Sequence, residues 1–261
     1  MSDLSAIVLF TALGGVVSAV LAGVVLLLGP ATRERFMPHL VSFATGALLG
    51  TALLALVPHA VEGAGIERVH EIGVALLAGI GTFFVLEKFL LWQHCHTEDV
   101  ESHAAHEHHR HGASGWIVLA GDALHNFIDG VLIAAAFLTD FHLGVVTALA
   151  IMAHEIPQEV GNFAVLLHAG FGRARALAWN VLTGLTAVLG GLFGWYALRT
   201  AMALQPYALA LAAASLLYVA VADLIPGLHR RTDLRAGLTQ VFWILAGVLV
   251  VAWAESGLHG A

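Results

Sequence analysis

The 261-residue chain is 59% hydrophobic and only 11% charged, with a mean hydropathy of +0.86. This balance excludes a soluble globular protein and defines a polytopic membrane protein. The formal net charge of −7 says little about partners where most of the chain faces lipid. No basic stripe of the kind nucleic-acid binding requires is present, and the single cysteine, Cys95, excludes an intrachain disulfide framework.

Apolar stretches of the ~17 to 25 residues needed to cross a bilayer as a helix fall at 4–28, 38–59, 71–92, 115–138, 142–167, 175–198, 206–226 and 237–254. Lipid offers the backbone no hydrogen-bond partners, so the spans must be helices or a closed barrel. Continuous apolar runs without two-residue alternation exclude the barrel. The expected fold is an all-α polytopic membrane protein of eight transmembrane helices, one domain over residues 1–261. The first span follows Met1-Ser2-Asp3 without a basic flank, so it is expected to stay as a membrane helix and not to be cleaved as a signal peptide.

Placing the N-terminus outside puts Arg33, Arg35, Lys88, Arg110, Arg173, Arg175, Arg230, Arg231 and Arg235 at cytoplasmic helix ends and leaves Arg68 and Arg199 outside. Nine basic residues against two is a decisive positive-inside bias. Both termini are then outside, and the segment 93–114 between the third and fourth spans is cytoplasmic. That segment holds His94, His96, His103, His106, His108, His109 and His111, seven of the chain's sixteen histidines. Neutral imidazole is a common ligand for borderline divalent ions. The spacing is too irregular to specify one tetrahedral cage, so the expected role is capture, buffering or sensing. A solvated tract that meets metal only incidentally is the competing reading.

Two polar runs interrupt the fourth and fifth spans: His125-Asn126-Phe127-Ile128-Asp129-Gly130 and His154-Glu155-Ile156-Pro157-Gln158-Glu159. Ionisable groups at membrane depth are costly and mark a site or pathway. His125 and Asp129 are four residues apart on one helical face, and His154 and Gln158 repeat the arrangement, so two faces can supply four ligands. Asn126 and Glu155 lie ~100° round from those faces. Glu159 follows one turn below Glu155 and Asn162 a further turn on, which makes a second adjacent cluster plausible. Pro157 removes an amide donor and crowds the carbonyl of Ala153, so a kink is expected at the site. An interhelical hydrogen-bond network is the alternative use of such residues.

Other polar positions carry less. His59, beside Pro58 at the outer end of the second helix, is either a ligand at the mouth or a capping histidine. Asp223 in the seventh helix either faces the pathway or satisfies a buried network. Asp122 and Glu87 lie near inferred cytoplasmic helix ends, where snorkelling to water is expected.

Both runs resemble the signature motifs of the ZIP (Zrt- and Irt-like) divalent metal transporters, HNxxD in the fourth helix and HExPHE in the fifth. The similarity extends through Phe83–Lys88, Leu166–Gly170 and Leu217–Pro226. The resemblance implies a metal site at mid-membrane on helices four and five, with the first and last three helices related as inverted repeats in a 3+2+3 bundle. It implies a primary site of His125, Asp129, His154 and the side chain at 158, and a neighbouring site using Asn126 and Glu155. The chain departs from the pattern at Gln158, where the family motif has a second His, and at Asn162, where it often has Asp.

The expected function is carriage of a divalent transition metal, foremost Zn²⁺ with Cd²⁺, Fe²⁺ and Mn²⁺ as alternatives, from outside to the cytoplasm across a cell membrane, a bacterial inner membrane or a plasma membrane. No prosthetic group and no catalysis are expected. The partners are the ion and the bilayer, with a homodimer left open. A cation-diffusion-type exporter would repeat HxxxD on a second helix, and a zinc-dependent hydrolase would need HExxH, whose second His position is Gln158.

Overall fold

The computed structural model describes residues 2–99, 107–230 and 233–256, and among these every regular element is helical. Eight helical segments follow in order: α1 (Asp3–Val25), α2 (Pro30–Ala64), α3 (Val69–Asp99), α4 (Glu107–Thr139), α5 (Phe141–His168), α6 (Arg173–Thr200), α7 (Met202–Leu228) and α8 (Leu234–Ser256). Each contains one of the eight expected spans. Seven hold a stretch long and apolar enough to cross a membrane; α5 is as long, but its polar run dilutes it.

Local chemistry sets the ends. Pro30 sits in the first turn of α2, where its missing N–H costs nothing. The Asp140 carboxylate caps α5 by accepting from the amides of His142 and Leu143 at 2.8 and 2.9 Å. Gly170, at φ +86°, turns the chain out of α5.

One detail differs from the sequence-based expectation. The region 93–114 is not all loop: α3 runs on to Asp99 and α4 begins at Glu107. The α5 helix is continuous through Pro157, whose ring nitrogen has no N–H to give to the carbonyl of Ala153. Departures to π-helix come in α1, at Leu13–Val17, and in α2 and α7, where the segments Thr51–Leu56 and Val219–Leu224 run up to the turns carrying Pro58 and Pro226. Widening the ladder there relieves the clash between the proline ring and the carbonyl four residues earlier.

The helices pack as two groups. In one, α4 lies along α6 and α5, and α1 fills the angle between α5 and α6; in the other, α2 lies along α8 and α7, and α3 along α7. Glycines allow the closest crossings. A Cβ on Gly130 or Gly190 would come 1.9 Å from a backbone carbonyl oxygen of the facing helix, and one on Gly46 would come 2.0 Å from that of Ile244. The groups meet chiefly where α2 touches α5 and α7 touches α4. The membrane-crossing windows of α3 and α8 are only 11% buried, against 61% for α2, so α3 and α8 present their apolar faces to lipid. The polar runs of α4 and α5 therefore end up inside the bundle.

Candidate metal site

Four of the expected ligands come together. The Nε2 atoms of His125 and His154 are 3.4 Å apart. His125 Nε2 lies 3.7 Å from Asp129 Oδ2 and 3.3 Å from Glu155 Oε1, and His154 Nε2 lies 3.5 and 3.4 Å from the same two oxygens. Ligand atoms of all four residues lie within 4.8 Å of one another, and they form the one such group of His, Cys, Asp and Glu among the described residues. Zinc bonds nitrogen and oxygen at ~2.0 to 2.2 Å, so a tetrahedral cage has edges of ~3.4 Å. The five measured separations match those edges before any ion is introduced.

The chemistry agrees with the geometry. Asp129, His154 and Glu155 are each no more than 2% exposed, while His125 borders a cavity. Among the described residues, neither carboxylate accepts a hydrogen bond. Burying two carboxylates without donors costs several kcal/mol each unless a cation compensates them. The carbonyl of Ala150, 3.4 Å from His154 Nδ1, can only accept. It therefore favours the proton on Nδ1 and leaves the Nε2 lone pair facing the other ligands.

The neighbouring polar residues are arranged differently. Asn126 donates its side-chain amide to the backbone carbonyl of Asp122 at 3.2 Å and to Asp122 Oδ1 at 3.3 Å. Asn162 donates to the same Oδ1 at 2.7 Å. Asp122 is 4% exposed, so it does not snorkel; it is held inside the bundle by two amides. Glu155 joins the histidines and not Asn126. Glu159 is fully buried one turn on, its carboxylate accepts no hydrogen bond among the described residues, and its backbone carbonyl takes the Asn180 amide at 3.2 Å.

A cavity of about 570 Å³ opens beside His125. It is lined by Asp122, Gln158 and Asn162 on the α4/α5 side, by Met37 of α2, and by Glu87 and Asp223 of α3 and α7. Gln158 thus stands on the cavity wall, and Asp223 faces the same space from the opposite side. Glu87 also lines it and accepts a hydrogen bond from the Tyr218 hydroxyl, so it does not simply reach for water. His59 turns its Nδ1 to the carbonyl of Ala55 at 2.9 Å, an intrahelical bond one turn back along α2. His103 and His106 lie outside the described residues, as do the side chains of His94, His96, His108, His109 and His111.

Sequence reasoning missed Asp122 as part of the site, although a signal was present. Asp122, His125, Asn126 and Asp129 are spaced i, i+3, i+4, i+7, one stripe along α4.

A family model described as ZIP zinc transporter matches residues 4–254. Zinc transporter ZIP13 of Pongo abelii is 32% identical over 227 residues, covering 82% of this chain and 66% of that protein. Zinc transporter ZIP4 of Mus musculus is 31% identical over 263 residues, covering 77% and 40%. Zinc transporter foi of Drosophila melanogaster is 36% identical over 153 residues, covering 57% and 22%. The chain thus spans less than two thirds of the length of each of these relatives. With helical architecture, buried ligand cluster and a match over nearly its whole length, this multi-pass membrane chain belongs to the ZIP zinc transporter family.

Proposed function

We propose that the protein carries Zn²⁺ across the membrane into the cytoplasm, and that His125, Asp129, His154 and Glu155 bind the ion in transit. The observation that carries this reading is the set of donor separations, 3.3 to 3.7 Å, around a point where two buried carboxylates lack hydrogen-bond donors. Two carboxylates cancel the charge of a divalent cation, and two imidazoles replace lost water ligands. The loaded site is then neutral overall, which lowers the cost of holding an ion in low dielectric. Nitrogen donors favour zinc, while oxygen donors admit harder ions, so Mn²⁺, Fe²⁺ and Cd²⁺ are the competing cargoes. Thiolates, which would hold zinc too long for release, take no part in the set.

Direction rests on charge. The cavity reaches from His125 to Met37 and Gly227, beside the helix ends that carry Arg33, Arg35 and Arg230. The positive-inside bias makes that end cytoplasmic, and the cavity is then the exit side. Alternating exposure of the α4/α5 site to the two faces completes transport. Glu155 sits among the ligands and Gln158 stands where a zinc hydrolase needs its second histidine, which supports carriage over catalysis.

Uptake of ⁶⁵Zn²⁺ into proteoliposomes tests the reading: the wild-type chain should accumulate the ion and His154→Ala should not. Equal uptake by both would overturn it. Labelling of Cys95 by an impermeant thiol reagent tests orientation, and efficient reaction from outside intact cells would reverse the direction.

A further inference from the structure

We propose that a cavity between the N-terminal parts of α2 and α8 is a binding site for a membrane lipid with a phosphoethanolamine head group. It shares no lining residue with the cavity beside His125, so its occupant is separate from the ion.

The cavity has a volume of about 210 Å³ and is lined by Pro38 and His39 of α2 and by Asp233, Arg235, Thr239 and Gln240 at the start of α8. Arg33 and Arg35 precede the apolar run of α2, which begins at residue 38, and Asp233 and Arg235 precede that of α8, which begins at 237. The cavity therefore spans the boundary between charged flank and hydrocarbon on two adjacent helices, the level of lipid head groups. The Trp243 ring, its centroid 6.0 Å from that of His39, lies further in along α8, as interfacial aromatics do. With its membrane-crossing window only 11% buried, α8 leaves this level open to lipid.

Hydrogen bonds already made decide which chemistry the walls present. Gln240 donates its amide nitrogen to the carbonyl of Leu228 at 3.0 Å, so its carbonyl oxygen is the atom left for the cavity. Thr239 gives its hydroxyl proton to the carbonyl of Arg235 at 2.8 Å and keeps only lone pairs. Asp233 caps α8 by accepting from the Ala236 amide at 2.8 Å, and a carboxylate has further lone pairs to offer. The α8 wall is thus rich in acceptors, set beside the five N–H donors of the Arg235 guanidinium.

A primary ammonium brings three N–H donors and a positive charge, which suits Asp233, Thr239 and Gln240. A phosphate accepts bidentately and suits Arg235. Phosphoethanolamine carries both groups on one short link. A phosphocholine head has the same charges but no N–H to give, and an anionic head lacking an ammonium would set its phosphate against Asp233 with no cation between them. Each contact with an exposed charge contributes little alone. Selection comes from several acting together on a molecule that the bilayer supplies at high concentration.

The test uses the full chain in detergent, supplied with lipids of identical acyl chains and read by native mass spectrometry. Wild type should retain phosphatidylethanolamine at least fivefold over phosphatidylcholine and phosphatidylglycerol. Asp233→Asn, which preserves the helix cap, and Arg235→Gln should each bring that preference below twofold. Equal retention of the three lipids by wild type, or an undiminished preference in either variant, would overturn the site.

Should a variant fail to fold, the wild-type chain decides the matter through the lipid. Adding one, two and three methyl groups to the ethanolamine nitrogen removes its N–H donors in turn while the charge stays, and retention should fall at each step. A flat series would overturn the proposal. Soluble glycerophosphoethanolamine at equal concentration should not displace the lipid; displacement would mean recognition of a free head group and would overturn the assignment to a membrane lipid.

Discussion

Among the described residues, the carboxylates of Asp129 and Glu155 around His154 accept no hydrogen bond, whereas one turn along α4 the carboxylate of Asp122 accepts two through a single oxygen. The two clusters lie on the same pair of helices, and neither is exposed. What separates them is the supply of donors. Near Asp122 the amides of Asn126 and Asn162 provide it, so the network is largely satisfied without an ion. Near His154 the neighbours within ionic reach among the described residues are imidazoles, so the carboxylates are compensated by a protonated imidazole or by a bound cation. Withholding hydrogen-bond donors from buried carboxylates thus leaves a deficit that a bound cation would relieve.

The contrast breaks most sharply at the histidines. His125→Ala or His154→Ala should lower zinc uptake in proteoliposomes by at least a hundredfold, since each removes one of four ligands and leaves two carboxylates sharing a single imidazole. Uptake within threefold of wild type, with the variant in the membrane, would show that the ion passes elsewhere. The next effect compares neighbours in the sequence motifs. Glu155→Gln should weaken Zn²⁺ binding by about tenfold, the equivalent of ~1.4 kcal/mol. Asn126→Ala, in the Asp122 network, should weaken it by less than threefold. Equilibrium binding would reverse the assignment if the two values changed places.

A smaller shift is expected at Gln158. An amide oxygen is a harder and weaker zinc ligand than imidazole. Gln158→His should therefore tilt competition uptake toward Zn²⁺ over Mn²⁺ by a few-fold, with lower apparent KM and lower maximal flux if release is limiting. Unchanged preference and kinetics would mean that this side chain does not meet the ion. The smallest effect belongs to the histidine-rich segment. Deleting residues 98–111 should leave more than half of zinc uptake intact; loss as deep as that of the histidine variants would make the segment part of the pathway.

Much of this was legible in the chain. Helical periodicity put His125 above Asp129, and both came to the site. Glu155 was harder to place, because one helix read alone puts it ~100° from His154. The α4 and α5 faces meet broadly enough for consecutive residues of α5 to point at His125 together. Asp122 looked like a helix-end carboxylate because hydropathy reports depth along one helix and not what covers its sides. The prolines were visible, but which helices would absorb them as π-helical segments was not: α5 carries Pro157 without one, while α2 and α7 carry theirs ahead of Pro58 and Pro226.

By itself the sequence determined that eight apolar helices would form and which of them would bury imidazole and carboxylate. Backbone satisfaction in lipid leaves the chain no other structure, and side-chain spacing fixes each helical face. Only the tertiary structure decided that Glu155 joins His125, Asp129 and His154, that Asn126 and Asn162 turn to Asp122, and that a cavity leads away past Gln158. Those outcomes depend on how two helices cross and which residues fill the angle between them, quantities set by packing of the whole bundle and by no local spacing.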